Sequence, residues 1–140
     1  MKKLITFIAA LCSLASCTAV PLHKSTAIKI KRSQLVRLTV YWKSEDGWTR
    51  RGFTSTQEPL ESYKTIAADP RDFPYYSKIS IPEIGISGVI HDTGSALKTR
   101  KAARQCGKNV PVLDLYIEKK ADAKKFLKTA PMFVIANVIE

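Results

Sequence analysis

Six short runs of β-branched and aromatic residues are the feature of this sequence that most limits its fold. The runs cover residues 35–42, 65–68, 78–81, 86–90, 110–117 and 132–139. Short runs of this kind, separated by turn residues and prolines, are typical of β-strands. Because the strands are short and numerous, the sequence predicts a mainly β fold, a small six-stranded barrel.

The segments between the runs predict turns and one or two short helices. Asp46-Gly47 follows the first run, and an Asp-Gly pair between strands favours a tight hairpin. Residues 95–105 and 121–128 carry good helix formers, and the first of these stretches stops before Gly107. Helices are therefore expected to be a minor part of the fold.

The N-terminus has the order of a bacterial secretion signal. Two lysines precede an apolar stretch, residues 4–15, that is too short for a permanent membrane span. The sequence LASC at 14–17 matches the lipobox, in which cleavage occurs before a cysteine that carries lipid. We therefore expect Cys17 to be lipidated. The alternative is an ordinary signal peptide that is cleaved near Ala19.

These features predict a three-part chain at the cell envelope. A signal peptide covers 1–16, a lipidated N-terminus and tether cover 17–33, and one domain covers 34–140. Within the tether, Ile28 and Ile30 are candidates for joining the first strand. Several acyl chains on one cysteine would anchor the protein to a membrane far more firmly than reversible binding does. Because Thr18 rather than Asp follows the cysteine, the expected location in a Gram-negative cell is the outer membrane, facing the periplasm.

The chain is strongly basic, with 23 Lys and Arg residues against 12 Asp and Glu residues and a formal charge of +11. A basic surface favours anionic polymers. Outside the cytoplasmic membrane these polymers are anionic lipids, lipopolysaccharide and peptidoglycan, so nucleic acid is not an expected partner. Solubility alone is the competing explanation of the charge.

Cys106 is the single cysteine of the expected domain. A lone thiol cannot form a disulfide within that domain. In an oxidising compartment, an accessible thiol would be available for pairing between chains. We therefore expect Cys106 to be a buried free thiol and the protein to be a monomer.

Three aspartates lie at or inside the apolar runs. Asp69 follows the second run, Asp92 begins the sequence DTGSA after the fourth, and Asp114 lies inside VLDLY in the fifth. Burying an unpaired carboxylate costs several kcal/mol. Either basic residues neutralise these carboxyls, or the three cluster around a functional pocket.

These stretches resemble the three-Asp (3D) domain of the murein lytic transglycosylase A family. The similarity covers about residues 36–118 and is carried by TVY at 39–41, IAADPRDFPYYSKISIP at 66–82, DTGSA at 92–96 and VLDLY at 112–116. It implies a double-psi β-barrel, with the three family aspartates at Asp69, Asp92 and Asp114. It also implies that Asp92, in the Asp-Thr-Gly element, is the catalytic acid.

The sequence departs from the family pattern after this element. Ser95 stands where the family often has a second glycine, and the connection from Asp92 to Asp114 is lengthened. The added residues are basic and include no acid. We expect a cationic helix face beside the glycan groove, formed by Lys98, Arg100, Lys101 and Arg104.

The chemistry of lytic transglycosylation suits a single carboxyl. Ordinary glycoside hydrolysis uses two carboxyls. A transglycosylase instead uses a hydroxymethyl oxygen of the substrate, so one group can first donate and then accept a proton. Such a group needs a raised pKa, which neighbouring carboxylates or an apolar pocket provide. Asp69 and Asp114 are the expected neighbours of Asp92.

The remaining site residues are predicted to hold the glycan. Tyr41 and Trp42, together with Trp48, are candidates for stacking on sugar rings, with packing in the core as the alternative. His91 either orients Asp92 or is a structural residue at a strand end. The other candidate substrate-binding residues are Thr93, Gly94, Lys98 and Arg100.

No cofactor or metal is expected, because the spacing of His23, His91 and Cys106 does not resemble a metal site. The expected function is peptidoglycan cleavage by lytic transglycosylation, with glycan strands and a membrane as the partners. The alternatives are a peptidoglycan-binding lipoprotein without catalysis and a structural tether for another envelope protein.

The lipobox interpretation predicts that Cys17 carries lipid. Metabolic labelling with a fatty acid should mark the wild-type protein, and Cys17→Ala should lose the label. Cys12→Ala is the matched control and should keep it. Label that persists in Cys17→Ala would contradict the interpretation.

Overall fold

The computed structural model describes residues 28–140, which form a closed β-barrel of six strands. The strands are β1 (Ile30–Tyr41), β2 (Thr65–Ala67), β3 (Lys78–Ile81), β4 (Ile86–Asp92), β5 (Val112–Tyr116) and β6 (Phe133–Ile139). The helices are α1 (Ser95–Lys98), α2 (Lys101–Arg104) and α3 (Lys120–Thr129). The predicted mainly β, six-stranded barrel is confirmed.

The barrel mixes parallel and antiparallel neighbours. Its strand order is β1-β5-β2-β4-β3-β6, and β6 pairs back with β1 to close it. The pairs β1–β5 and β2–β4 are parallel, and the other four pairs are antiparallel. Parallel neighbours need long crossover connections. Strands β4 and β5 flank β2, and the connection between them carries α1 and α2.

Alternation along β5 separates the two sides of the barrel wall. Leu113 and Leu115 belong to the main core inside the barrel. Because successive side chains of a strand point to opposite faces, Val112, Asp114 and Tyr116 point outward. Val112 and Tyr116 are covered by a second, smaller apolar cluster that includes Leu97 of α1 and Ala103 of α2. Asp114 thus lies on the outer face, beneath added structure.

Strand β1 begins at Ile30, one of the two tether residues that were candidates for the first strand. Two other local predictions differ from the structure. The hairpin at Asp46-Gly47 is wrong, because β1 pairs with β5 and β6 rather than with β2. The helical stretch 95–105 divides into α1 and α2 because Arg100 adopts a left-handed conformation with φ 53°. Residues 28–140 therefore contain three α-helices rather than one or two.

The residues 42–64 form a long β1–β2 loop instead of a hairpin turn. Asp46 begins a short 3-10 turn at Thr49–Arg51, because its carboxylate accepts hydrogen bonds from the amides of Trp48 (2.9 Å) and Thr49 (2.8 Å). Gly52 ends that turn in the left-handed conformation, with φ 80°. An aspartate that would begin a hairpin has instead capped a helical turn.

The expected burial of Cys106 is wrong. Cys106 is exposed in the turn that follows α2, and its Sγ lies 3.6 Å from Sδ of Met132. In the four-residue helix α2, Ala103 is the buried residue that faces the barrel. Cys106 follows α2 in an exposed stretch of chain, and Gly107 continues it in the left-handed conformation, with φ 69°.

The signal peptide at 1–16 and the lipidation site Cys17 lie outside the described residues. Within residues 28–140, the longest helix has ten residues. No helix in that part of the chain is long and apolar enough to cross a bilayer.

Close packing of β2 against β4 predicts that Gly88 cannot be replaced. A Cβ atom there would lie 2.2 Å from the carbonyl oxygen of Lys64 and 2.9 Å from Cδ1 of Ile66. Gly88→Ala should lower the free energy of unfolding by roughly 1–3 kcal/mol or more, since overpacking forces the backbone apart. Urea unfolding measures this. Gly47→Ala is the control, because nothing lies within 4 Å of its added atom. Equal stability of the two variants would contradict the predicted packing.

Candidate functional site

A cavity of about 770 Å³ opens on the outer face of the barrel. The β1–β2 loop forms one side of it, and the segment 92–97, which leads from β4 into α1, forms the other. Its floor includes Ala67 of β2 and Asp114 of β5. The cavity therefore lies over the strands that carry two of the three predicted aspartates.

Strand register brings Asp92 and Asp114 to either side of Ala67. Ala67 pairs with Asp114 on the antiparallel side and with Asp92 on the parallel side. The register of β2 and β4 shifts by one residue between these pairs, since Ile66 pairs with Ile90 and Ala67 with Asp92. This irregularity skips His91 and re-aims the next side chain, as β-bulges do. Both carboxyls consequently line one cavity. Between them lies Ala67 of β2, whose side chain is a single methyl group.

Four hydrogen bonds hold the Asp92 carboxylate in place. Its Oδ1 accepts from the amide and the hydroxyl of Ser55, at 3.1 and 2.6 Å, and from the amide of Thr93 at 2.9 Å. Its Oδ2 accepts from the hydroxyl of Tyr41 at 3.2 Å. Since each oxygen accepts at least one hydrogen bond, the carboxyl of Asp92 is held in a fixed position as a hydrogen-bond acceptor.

Asp114 has a different environment. It accepts one hydrogen bond, from the Thr39 hydroxyl at 2.7 Å. Although the residue keeps some exposure, burial of the carboxyl among protein atoms raises its pKa to about 7, against the lowering effect of Thr39. The nearby charges of Glu45 and Asp92 raise the pKa of Asp114 further. At neutral pH, Asp114 can therefore either donate or accept a proton.

Tyr41 links the Asp92 carboxylate to the barrel wall. Its side chain is 7% exposed and packs at 5.3 Å from the ring of Tyr116. Burial, followed by the charges of Asp92 and Asp114, raises the pKa of the Tyr41 hydroxyl, which therefore stays protonated and donates to Asp92. The ring is thus part of the outer apolar cluster, and the hydroxyl is the part of Tyr41 that serves the cavity.

Asp69 is not part of this cavity. It is buried and binds Arg71, whose Nε lies 3.0 Å from both carboxylate oxygens. The hydrogen bond from that side chain is the main cause that lowers the pKa of Asp69. The expectation that Asp69 would sit beside Asp92 and raise its pKa is therefore not met. Arg71, two residues later, neutralises Asp69 instead.

The other predicted substrate-binding residues divide into two groups. Thr93 and Gly94 line the cavity. Trp42, Lys98 and Arg100 do not line it. Trp42 packs against the barrel core.

The predicted cationic helix face forms only in part. Lys98, Lys101 and Arg104 are exposed. Arg100 turns away from them, because its guanidinium binds Asp72 at 2.8 Å and the carbonyl oxygen of Asn109 at 3.2 Å. It pins the segment between β4 and β5 to the turn after β2.

The sequence interpretation missed several residues of the β1–β2 loop. Ser55 supplies two of the four donors to Asp92, and no pattern in the sequence identified it. Trp48, Arg51 and Phe53 stand at the cavity mouth, which we call the rim. Of these, Trp48 is a predicted sugar-stacking residue. The sequence GWTRRGF, in which aromatic and basic residues cluster, is the signal that could have identified Arg51 and Phe53.

The lining of the cavity carries four carboxyls, those of Glu45, Asp46, Asp92 and Asp114. Among residues 28–140, no group of three or more His, Cys, Asp and Glu side chains is arranged to hold a metal ion.

A scan against protein-family models and a search of curated proteins find no match to this chain.

The raised pKa of Asp114 predicts a specific pH dependence of stability. Between about pH 4 and pH 7, the folded protein keeps a proton that the unfolded chain has lost, so the free energy of unfolding falls as pH rises, by at most ~1.4 kcal/mol per unit. Asp114→Asn removes this contribution. The free energy of unfolding of the variant should therefore rise, relative to that of the wild type, as the pH increases across that range. Denaturant unfolding at several pH values measures the difference. Asp122→Asn, an exposed change, is the control. A difference for Asp114→Asn that stays constant with pH would contradict the assignment.

Proposed function

We propose that this protein is a cell-envelope lipoprotein that cleaves peptidoglycan glycan strands by lytic transglycosylation in the cavity over β2, β4 and β5. One observation carries the proposal. A carboxyl whose pKa is raised to about 7, Asp114, faces the same open cavity as a carboxylate held by four hydrogen bonds, Asp92. Groups with perturbed pKa values in a cleft are characteristic of active sites.

Asp114 is the acid and the base of the proposed reaction. It gives its proton to the glycosidic oxygen while the bond from that oxygen to the anomeric carbon breaks. It then takes the proton of the hydroxymethyl group on the same sugar, whose oxygen bonds to the anomeric carbon. The product carries an anhydro-muramic end, and Asp114 is protonated again. A pKa near the working pH suits both steps.

Asp92 has a supporting role in this proposal. The family resemblance assigns the acid to Asp92, but this carboxyl accepts four hydrogen bonds from the chain, three at Oδ1 and one at Oδ2. A fixed negative charge beside the reacting carbon would stabilise the positive charge that develops there. We therefore assign proton transfer to Asp114 and electrostatic stabilisation to Asp92.

The proposed substrate and location rest on the sequence and are consistent with the cavity. The similarity to the three-Asp domain suggests peptidoglycan, and the closed six-stranded barrel is the architecture expected for a double-psi fold. A lipid at Cys17 would hold the monomeric protein at the membrane, on the periplasmic side of the outer membrane in a Gram-negative cell. The basic surface would favour an anionic polymer there.

A glycan-binding protein without catalysis is the second candidate function. Two observations support it. The carboxyl of Asp92 already accepts hydrogen bonds from Ser55 and Thr93, and Arg71 neutralises Asp69. Two of the three predicted aspartates would then be structural. Asp114, with its single partner Thr39, is the residue that separates the two candidates.

Digestion of purified murein tests the proposed chemistry. Asp114→Asn should lower the rate by roughly 10²–10⁴-fold, the usual contribution of an acid–base group, while binding to murein is retained. The wild-type rate should fall as pH rises above about 7, because Asp114 loses the proton it must donate. Asp122→Asn should retain full activity.

Mass spectrometry of the products distinguishes the outcomes. Anhydro-muramic ends are expected, because an internal hydroxyl attacks rather than water. Reducing ends would identify a hydrolase and overturn the single-carboxyl mechanism. Binding without any soluble product from the wild type would favour the non-catalytic candidate.

A further inference from the structure

The rim of the cavity carries an unpaired positive charge. Among the described residues that line the cavity, Arg51 is the only cation. Within residues 28–140, it forms no salt bridge with an acidic side chain. It is also absent from the charges that shift the pKa of Asp114. The cavity therefore holds one guanidinium, at the rim, and four carboxyls: those of Asp92 and Asp114 on the strands and those of Glu45 and Asp46 in the β1–β2 loop.

Two exposed aromatic rings accompany this charge. Trp48 is 72% exposed and Phe53 is 57% exposed, and both line the same cavity. The guanidinium of Arg51 lies 4.4 Å from the centre of the Trp48 ring. Stacking of this kind holds a guanidinium in place while leaving its edge free to bind an anion. Large apolar side chains exposed together around a polar cavity indicate a binding surface.

The rim is held in position by its own loop. Asp46 caps the turn that carries Trp48 and Arg51. Phe53 forms an isolated antiparallel bridge with Pro59, and the amide of Leu60 bonds to the carbonyl of Gly52 at 3.0 Å. The same loop reaches the floor of the cavity through Ser55, which binds Asp92. The aromatic rings and the guanidinium are thus preorganised relative to the carboxyls, which lowers the cost of binding.

We propose that Trp48, Arg51 and Phe53 form a subsite for a pyranose ring that carries a free carboxylate, as muramic acid does where no stem peptide is attached to it. The apolar face of the sugar would pack on the aromatic rings, and the carboxylate would pair with Arg51. This inference rests on the proposed function for the choice of a glycan. It adds a discrimination between carboxylated and neutral sugars, and a fixed direction of the strand across the cavity.

Binding by the full chain to two glycan probes tests the subsite. One probe is an oligosaccharide of alternating N-acetylglucosamine and N-acetylmuramic acid, and the other is a chitin oligosaccharide of equal length without carboxylates. Asp114→Asn is the background, so that the probes stay intact, and calorimetry gives the dissociation constants. Arg51→Gln should weaken binding of the muramic probe by about tenfold or more, because a charge-assisted hydrogen bond is lost. Binding of the chitin probe should not change.

Arg50→Gln is the matched control. Arg50 belongs to the same turn and is exposed, but it does not line the cavity. It should leave the binding of both probes within about twofold, since an exposed charge remote from the ligand contributes little. Trp48→Ala should weaken the binding of both probes, because each probe contains a sugar ring that can stack.

Three results would overturn the subsite: equal losses from Arg51→Gln and Arg50→Gln, equal affinity of the wild type for the two probes, or no binding of either probe. The product analysis of wild-type digestion is independent of these results. Selective binding without cleavage would keep the subsite and reject the proposed enzyme. Cleavage with no effect of Arg51→Gln on affinity would keep the proposed enzyme and reject the subsite.

Discussion

The register shift at His91 determines where the carboxyls of the cavity point. Without it, Ala67 would pair with His91, and Asp92 would not lie beside Ala67 on the outer face. His91 is fixed by Thr56, which bonds to its ring at 3.1 Å and to its carbonyl oxygen at 3.2 Å. The β1–β2 loop therefore stabilises both the irregularity and the carboxylate that follows it. The small side chain of Ala67 leaves the space that both carboxyls share.

This arrangement separates the two carboxyls by environment rather than by residue type. Asp92 lies at a strand end, where backbone amides and the Ser55 hydroxyl reach it. Asp114 lies in the middle of β5, where the amides are committed to neighbouring strands and one hydroxyl remains to bind it. Burial without compensating donors disfavours the charged form. The fold consequently raises the pKa of Asp114 and surrounds the carboxyl of Asp92 with hydrogen-bond donors.

The sequence predicted the strands well and the connections poorly. Alternating apolar residues and β-branched residues are typical of strands that bury one face, so the six strands were predictable. The placement of Asp92 at the end of one strand and of Asp114 inside another was predictable for the same reason. The β1–β2 loop was not, because Asp46 can begin a hairpin or cap a helical turn, and the choice depends on which strand pairs with β1. Ser55 and Arg51 therefore escaped prediction. Asp69 binds Arg71 and does not line the cavity, and Cys106 is exposed in the turn after α2.

The central claim is that the cavity holds a titrating proton on Asp114. Nuclear magnetic resonance of isotope-labelled aspartate carboxyl carbons measures this directly, with the Asp114→Asn variant assigning the signal. The structure predicts that this carboxyl titrates at about pH 7 in the folded protein. Titration near its ordinary value of about 3.8 would show that the carboxyl is ionised at neutral pH, and it would contradict the account.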